Sequence, residues 1–509
     1  MLKKIISLIF ILVIAGFGYY SWHHYRQVYP PYSPEINAVL FMAGDNRSEL
    51  EQVLKHYSRH PADSLKLRAA EFLIVNMPGK YSEYYDAPWN DVATVRLRWT
   101  SSSNKQLVLD TYGLGEPVVK EDVRYITADY LINNIELAFQ VWQETPWGKH
   151  IPFDTFCEEI LPYRVSIEPL ENWREKALDT FSELYEELKN DSSITSVMAC
   201  WRVNNLLPQF NIDNDFPPAN FSMLLATQRG ICDNMAALAA FAMRALGIPV
   251  TVEFTPKWPN NNVGHAWNSV CDSNGRHISF MGTHTNPGAP HQGSLWLKSK
   301  VYRRMFSKQQ NMINSTNTPA ELQNPYMQDV SQEYDGFVDV EIPVRYPATD
   351  TTGYVYLATM GGSLNWNLIS WGQVEQQIIR FSSIGKNVLY LPVYYGNNHR
   401  KPACYPFWLN NDGTVRILEP DTTRYEQLNL STMDHSVKNL WDIQNPQEQN
   451  IYELFCWMDS TWQSLEKQES KNQLLQFCIP SNALFYLKNN TTGKVTNVFT
   501  VQEEVIQWL

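Results

Sequence analysis

Apolar and polar positions repeat along this chain with two periods, helical in its first part and alternating in its last. Ser48-Glu-Leu-Glu51 has the form of a capping box and predicts a helix over 50 to 57. His60-Pro61-Ala-Asp63 ends it, and Asp63 or Ser64 opens a second helix whose Leu65, Ala69, Phe72 and Leu73 recur at helical spacing until Pro78-Gly79. Further helical patterns cover 127 to 144 and 169 to 190, the latter with Trp173, Ala177, Phe181 and Leu184 on one face. From 335 the texture becomes short β-rich runs between turn signals, at 337–344, 354–358, 377–381, 388–395 and 415–418, which predicts an antiparallel sandwich. Similar runs at 452–458, 474–479, 484–487 and 495–501 predict a second sandwich or an extension of the first.

Between these regions one segment combines both periods. Met235, Leu238, Ala239, Ala242 and Leu246 mark a buried helix that starts near Cys232 and stops at Gly247-Ile-Pro249. A strand follows at 250–254, and His265 opens another, with Trp267 and Ser269 in alternation and Asp272-Ser-Asn-Gly275 as a hairpin turn. The pattern divides the chain into 1–30 (signal peptide or signal anchor plus linker), 31–205 (mainly helical), 206–306 (α+β core), 307–334 (linker), 335–430 (β-sandwich) and 431–509 (second sandwich or extension). The fold class is α+β.

Composition narrows the function. At 509 residues with 44% hydrophobic and 18% charged residues, the chain has the mass for several folded domains and too little charge for disorder. Lys plus Arg number 41 and Asp plus Glu 53, a net −12, with a pI near 5.5, which opposes a nucleic-acid partner. The seven cysteines, at 157, 200, 232, 271, 404, 456 and 478, form no pattern with metal-ligand spacing, so no metal is expected. An odd number leaves at least one thiol free. Lys3 and Lys4 before an apolar run through 5–22 read as an export signal, either a membrane anchor facing the extracytoplasmic side or, if cleaved, the leader of a secreted protein.

The chemistry concentrates at Cys232. A thiol at a helix start meets unpaired N–H groups and the positive end of the dipole, both of which favour thiolate. His265, on a sheet beside it, supplies a general base, which is the cysteine-protease arrangement. Gln228 is the candidate oxyanion donor, Trp258 and Trp267 candidate groove walls, and Asp233 and Asn234 candidate helix caps. The competing reading makes Cys232 a small buried hydrophobe, His265 a satisfied core histidine and the two tryptophans core packing.

Gly230-Ile-Cys232, the helix ending in Gly247-Ile-Pro249 and the strand with His265-Ala-Trp267 resemble the transglutaminase-like superfamily over about 220–288. The runs Ala43 to Glu51 and Phe156 to Arg164 are similar to those of large exported bacterial members, with a helical region before a papain-like core and β-sandwiches after it. The resemblance implies that Cys232 is the nucleophile and His265 the base, with no cofactor, acting on amide bonds of polypeptide or glycopeptide substrates by hydrolysis or acyl transfer. It also implies an Asp or Asn on the strand after the hairpin, level with Trp267. Here that place falls to Gly282, or to Met281 with the register shifted by one, so His284, Asn286 and Asn268 are the candidate substitutes. Loss of the orienting carboxylate costs about 10⁴ in rate in the best-studied serine system. The alternative is a catalytically degenerate core serving as a surface binding or scaffolding protein, with glycan binding through the β domains.

Overall fold

The structure is a computed structural model that describes residues 32–84, 117–214, 216–259, 261–309, 318–347, 353–362, 364–396, 399–431, 449–472, 474–503 and 505–509. The expected signal segment lies outside the described residues; among those, no helix is long and apolar enough to cross a membrane. The chain forms two compact units, one of the described residues in 1–182 with 217–227 and 244–247, the other of 183–216, 228–243 and 248–509.

The first unit is mainly helical. Helix Arg47–Ser58 buries Leu50, Val53, Leu54 and Tyr57, a stripe at helical spacing, against helices Ser64–Val75 and Ala128–Glu144. The expected capping box at Ser48 does not form: the helix starts at Arg47 after a 3₁₀ turn, Gly44–Asn46. Glu49 accepts instead from the Ala128 N–H at 2.6 Å and so satisfies an orphan donor of another helix. Asn46 donates to the Val123 and Ile126 carbonyls. The run from Ala43 to Glu51 is thus a clamp between helices.

The run 169–190 folds as two helices, Trp173–Thr180 and Ser182–Lys189. Hydroxyls of Thr180 and Ser182 bond back to the Lys176 and Asp179 carbonyls, and that competition breaks the helix at Phe181. The Phe156 to Arg164 run belongs to a polar core. Arg164, 5% exposed, meets the fully buried Asp122 in a bidentate pair with both contacts at 2.6 Å. Tyr163 donates to the same carboxylate at 2.8 Å, Asn134 to the Leu161 carbonyl, and Arg174 to the carbonyls of Pro162 and Arg244.

The second unit is built on sheets. Strand order in its first sheet is His277–Phe280, His265–Cys271, Val250–Thr255, Tyr302–Arg304 and Met327–Asp329, all antiparallel. Helix Cys232–Ala245 belongs to this layer, buried on every side from Asn234 onward, and its stop is as the sequence predicts: Gly247 at φ +73° bonds Arg244, and Ile248 bonds Met243. An eight-stranded antiparallel sheet follows over 337–417. After it, strands Asp421–Ser431 and Leu474–Ser481 pair, and a five-stranded sheet runs from Ile451–Met458 to Val505–Trp508. Leu428, Leu430, Leu475, Phe477 and Ile479 share one core with Leu454, Phe485, Leu487 and Phe499, so these two sheets pack face to face. The seven cysteines form no disulfide, and Cys478 is the exposed one.

Removing one partner of the Asp122–Arg164 pair leaves a buried charge uncompensated. Asp122→Ala lowers stability by about 3–5 kcal/mol, whereas Glu51→Ala, which breaks surface pairs with Arg47 and Lys55, costs less than about 1 kcal/mol; denaturant unfolding of the two variants checks the contrast.

Candidate active site

Cys232 is placed by the turn before its helix. Gly230 has φ +141°, in the region that favours glycine, and a Cβ there would lie 2.5 Å from the Cβ and Oδ1 of Asn234. Asn234 Oδ1 in turn accepts from the Ile231 N–H at 3.0 Å, so Asn234 braces the approach to the helix. The Gly230 carbonyl accepts from Asp213 N at 3.1 Å, and the short parallel pairing of Asn211–Ile212 with Arg229–Gly230 fixes the other side. Asp233, expected as a cap, forms an ion pair with Arg304. Gln228 has φ +53°, its carbonyl accepts from Asn211 N at 2.9 Å, and it is half-buried.

His265 opens its strand opposite Thr255. Its ring stacks on Trp258 at 5.6 Å between centroids with planes 28° apart, and lies 5.9 Å from Trp267 at 34°. Trp258 is buried and held in a closed loop, its backbone N–H donating to the Val263 carbonyl at 3.1 Å. Gly264 permits that closure, since a Cβ there would meet the Thr255 and Pro256 carbonyl oxygens at 2.6 Å.

Cys232 packs against the cluster that holds Trp267, and the backbone N–H groups of Ala266, the residue next to His265, and of Asp233 favour its thiolate. Burial nevertheless pushes the Cys232 thiol up, and the Asp233 carboxylate pushes the same way; those two N–H groups and the Arg304 guanidinium act against them. Burial lowers His265 below the ordinary histidine value of 6.5, opposed by Asp233. The sequence argument for thiolate at a helix start is therefore outweighed by desolvation, which favours the neutral form of both the Cys232 thiol and the His265 imidazole.

The hairpin settles which residue lies level with Trp267. Asp272 Oδ1 accepts from the N–H groups of Asn274 and Arg276, both at 2.9 Å, and the loop runs from Asp272 to Arg276, past the expected turn at Asp272 to Gly275. Cys271 pairs with His277 and Asn268 with Phe280, so the next level sets Met281, not Gly282, beside Trp267. Met281 is buried with Met235, Trp267, Val301 and Val330, and Cys232 packs against the same cluster. At Gly282 a Cβ would come within 2.4 Å of the Ala239 Cβ and 2.6 Å of Asn268 Oδ1.

The candidate substitutes are engaged elsewhere or exposed. Asn268 donates to the Ala236 carbonyl at 2.9 Å and to that of Thr251 at 3.4 Å, tying the helix to the sheet. Asn286 donates to Asn205 Oδ1 and accepts from Asn204 Nδ2, so it anchors its loop to the end of helix Ser196–Asn204. His284 is exposed, with its N–H on the Met281 carbonyl.

Trp267 is fully buried, and its indole N–H donates to Tyr334 Oη at 2.7 Å; Tyr334 donates to Glu253. The buried Glu253 also accepts from Ser269 at 2.9 Å and from Arg303 at 2.9 and 2.6 Å. Sequence reasoning passed over this network, although a Glu inside Val250-Thr-Val-Glu-Phe is a signal, because a charge in an otherwise buried strand requires a partner. It also passed over His291, whose Nδ1 accepts from Gly293 N at 3.1 Å and whose Nε2 lies 3.2 Å from Ser279 Oγ. Burial lowers His291 to about 4, with His265 and Lys298 adding to the effect, so it stays neutral.

A side chain at 282 must push the helix from the sheet. Gly282→Ala therefore destabilises by about 1–3 kcal/mol, and Gly282→Asp unfolds the core without supplying an orienting carboxylate; thermal melting of both variants tests this.

The model of the Transglutaminase-like superfamily matches residues 184–281. Among solved structures, that of red sea bream transglutaminase matches at 8% identity with a TM-score of 0.22, over 82% of this chain and 75% of that one. A search of curated proteins gave no match. The matched residues 184–281 contain Cys232 at a helix start and His265 at the head of a strand of the same layer, so it is this segment that is similar to the transglutaminase-like superfamily.

Proposed function

We propose that the protein is a cysteine enzyme acting on carboxamides of polypeptides or glycopeptides. The observation that carries this reading is that Cys232, at a helix start, packs against the cluster that holds Trp267, while the ring of His265, at the head of its strand, lies 5.9 Å from that same Trp267. In the proposed reaction the Cys232 sulfur attacks the carboxamide carbon while His265 accepts the thiol proton. Backbone N–H groups at the helix start receive the oxyanion, and Gln228 is the side chain upstream that would add a donor. Collapse expels the amine, which takes the proton from His265, and leaves an acyl thioester on Cys232. A second amine resolves the thioester by transfer, or water by hydrolysis. No cofactor takes part in these steps.

The neutral resting pair suits this sequence, because the proton moves only as the sulfur attacks. Catalysis by such a pair needs His265 unprotonated, so its lowered pKa extends activity toward acid. We also propose that the enzyme works outside the cytoplasm, held by residues 5–22, on the strength of Lys3, Lys4 and the apolar run after them.

With a glutamine-containing peptide and a labelled primary amine, the wild type forms an amide or releases the free acid. Cys232→Ala abolishes both, and His265→Ala slows them by about 10²–10⁴, as read by mass spectrometry of the peptide. Across pH, kcat/KM rises through a midpoint below 6.5; a midpoint at or above that value sinks the neutral-pair account. Expressed at full length in a bacterial host, the chain fractionates with membranes and its residues beyond about 26 are cleaved by protease added from outside; protection from that protease argues against export.

A further inference from the structure

We infer that Trp258 is the positioning residue for His265, taking the place of the missing carboxylate. This rests on the thiol–imidazole reading of the site. An orienting carboxylate does two things: it fixes the ring's attitude and stabilises the imidazolium that forms when the thiol proton arrives. Neither position that could carry one has room, since Met281 fills an apolar cluster and Gly282 lies against Ala239. What does face the His265 ring is indole, with Trp258 parallel to it at 5.6 Å and Trp267 at 5.9 Å.

A stacked face restricts the tilt of the imidazole about both side-chain torsions. An indole is also the best aromatic partner for a cation, so a proton gained by His265 is stabilised where it lands. Trp258 is itself immobilised for the task. Its loop closes through Val263, and the Lys257 ammonium and carbonyl bond Asn262 and Ser299. Trp296 packs against it with ring centroids 5.3 Å apart, and Trp267 is fixed through Tyr334 and Glu253. The charged and titratable groups facing His265 are Asp233, which is paired with Arg304 and shares in stabilising the imidazolium, and His291, which stays neutral; the attitude of the ring is set by the stack.

The test is the pH dependence of Cys232 alkylation, read by mass spectrometry, in the full chain and in His265→Ala, Trp258→Leu and Trp258→Phe. The wild type shows an acid limb from His265 ionisation. His265→Ala loses that limb and reacts about tenfold more slowly near neutrality, the equivalent of one pH unit of ionisation. Trp258→Leu reproduces the His265→Ala profile, and Trp258→Phe, which keeps an aromatic face, recovers the limb. A wild-type profile in Trp258→Leu overturns the inference and leaves the thiol–imidazole pair standing. A wild-type profile in His265→Ala overturns that pair and the inference with it. Should Trp258→Leu melt below the assay temperature, the ring protons of His265 in the unaltered chain decide. Identified by their loss in His265→Ala, they resonate upfield under the indole ring current, and unshifted positions overturn the stack.

Discussion

The approach of Ala239 to Gly282 sets the geometry on which the rest of the core depends. A helix of small residues, Cys232–Ala245, lies so close to the sheet that a single Cβ at 282 would come within 2.4 Å of its neighbour. That closeness lets Asn268 reach the Ala236 carbonyl. It also leaves no room for a side chain at 282. The tie from Asn268 to the helix and the bare Cα at 282 are two results of one steric constraint.

The opposite face of the same sheet is organised by charge. Glu253 would be costly to bury alone, and Arg303, Ser269 and Tyr334 occupy its lone pairs. Through Tyr334 the network ends on the Trp267 indole, so a salt bridge buried in the core holds a ring that lies against His265. Rigidity is thereby passed to the site without placing a charge on it. Burial then acts on Cys232 and His265 in opposite directions, raising the thiol and lowering the imidazole, which favours the neutral form of both.

Where sequence reading and structure diverge, a side chain has usually found a partner far along the chain. Ser48 looked like a cap, but Glu49 caps the distant helix at Ala128. Asp272 to Gly275 looked like the whole hairpin turn, but the Asp272 carboxylate collects two N–H groups and the loop runs on to Arg276, setting Met281 level with Trp267. Strand Thr461–Glu469 has a polar, mostly exposed sequence with little alternation, and it exists because Ile451–Met458 pairs with it. Strand Asp421–Ser431 was missed for the same reason and pairs with Leu474–Ser481.

The sequence by itself determined the helix from Cys232 to its Gly247-Ile-Pro249 stop, the strand that His265 opens, and the helical and β textures on either side. Those features are local, set by spacing, by glycine at positive φ and by proline. The tertiary structure alone decided the register of the hairpin, the partners of Asn268 and Asn286, the Glu253 network and the stack of His265 on Trp258. Each of these joins groups from separate elements, and their meeting depends on how closely helix and sheet pack. The protonation of Cys232 and His265 belongs to the same class, because desolvation depends on what surrounds a group in space and not on its neighbours in the chain.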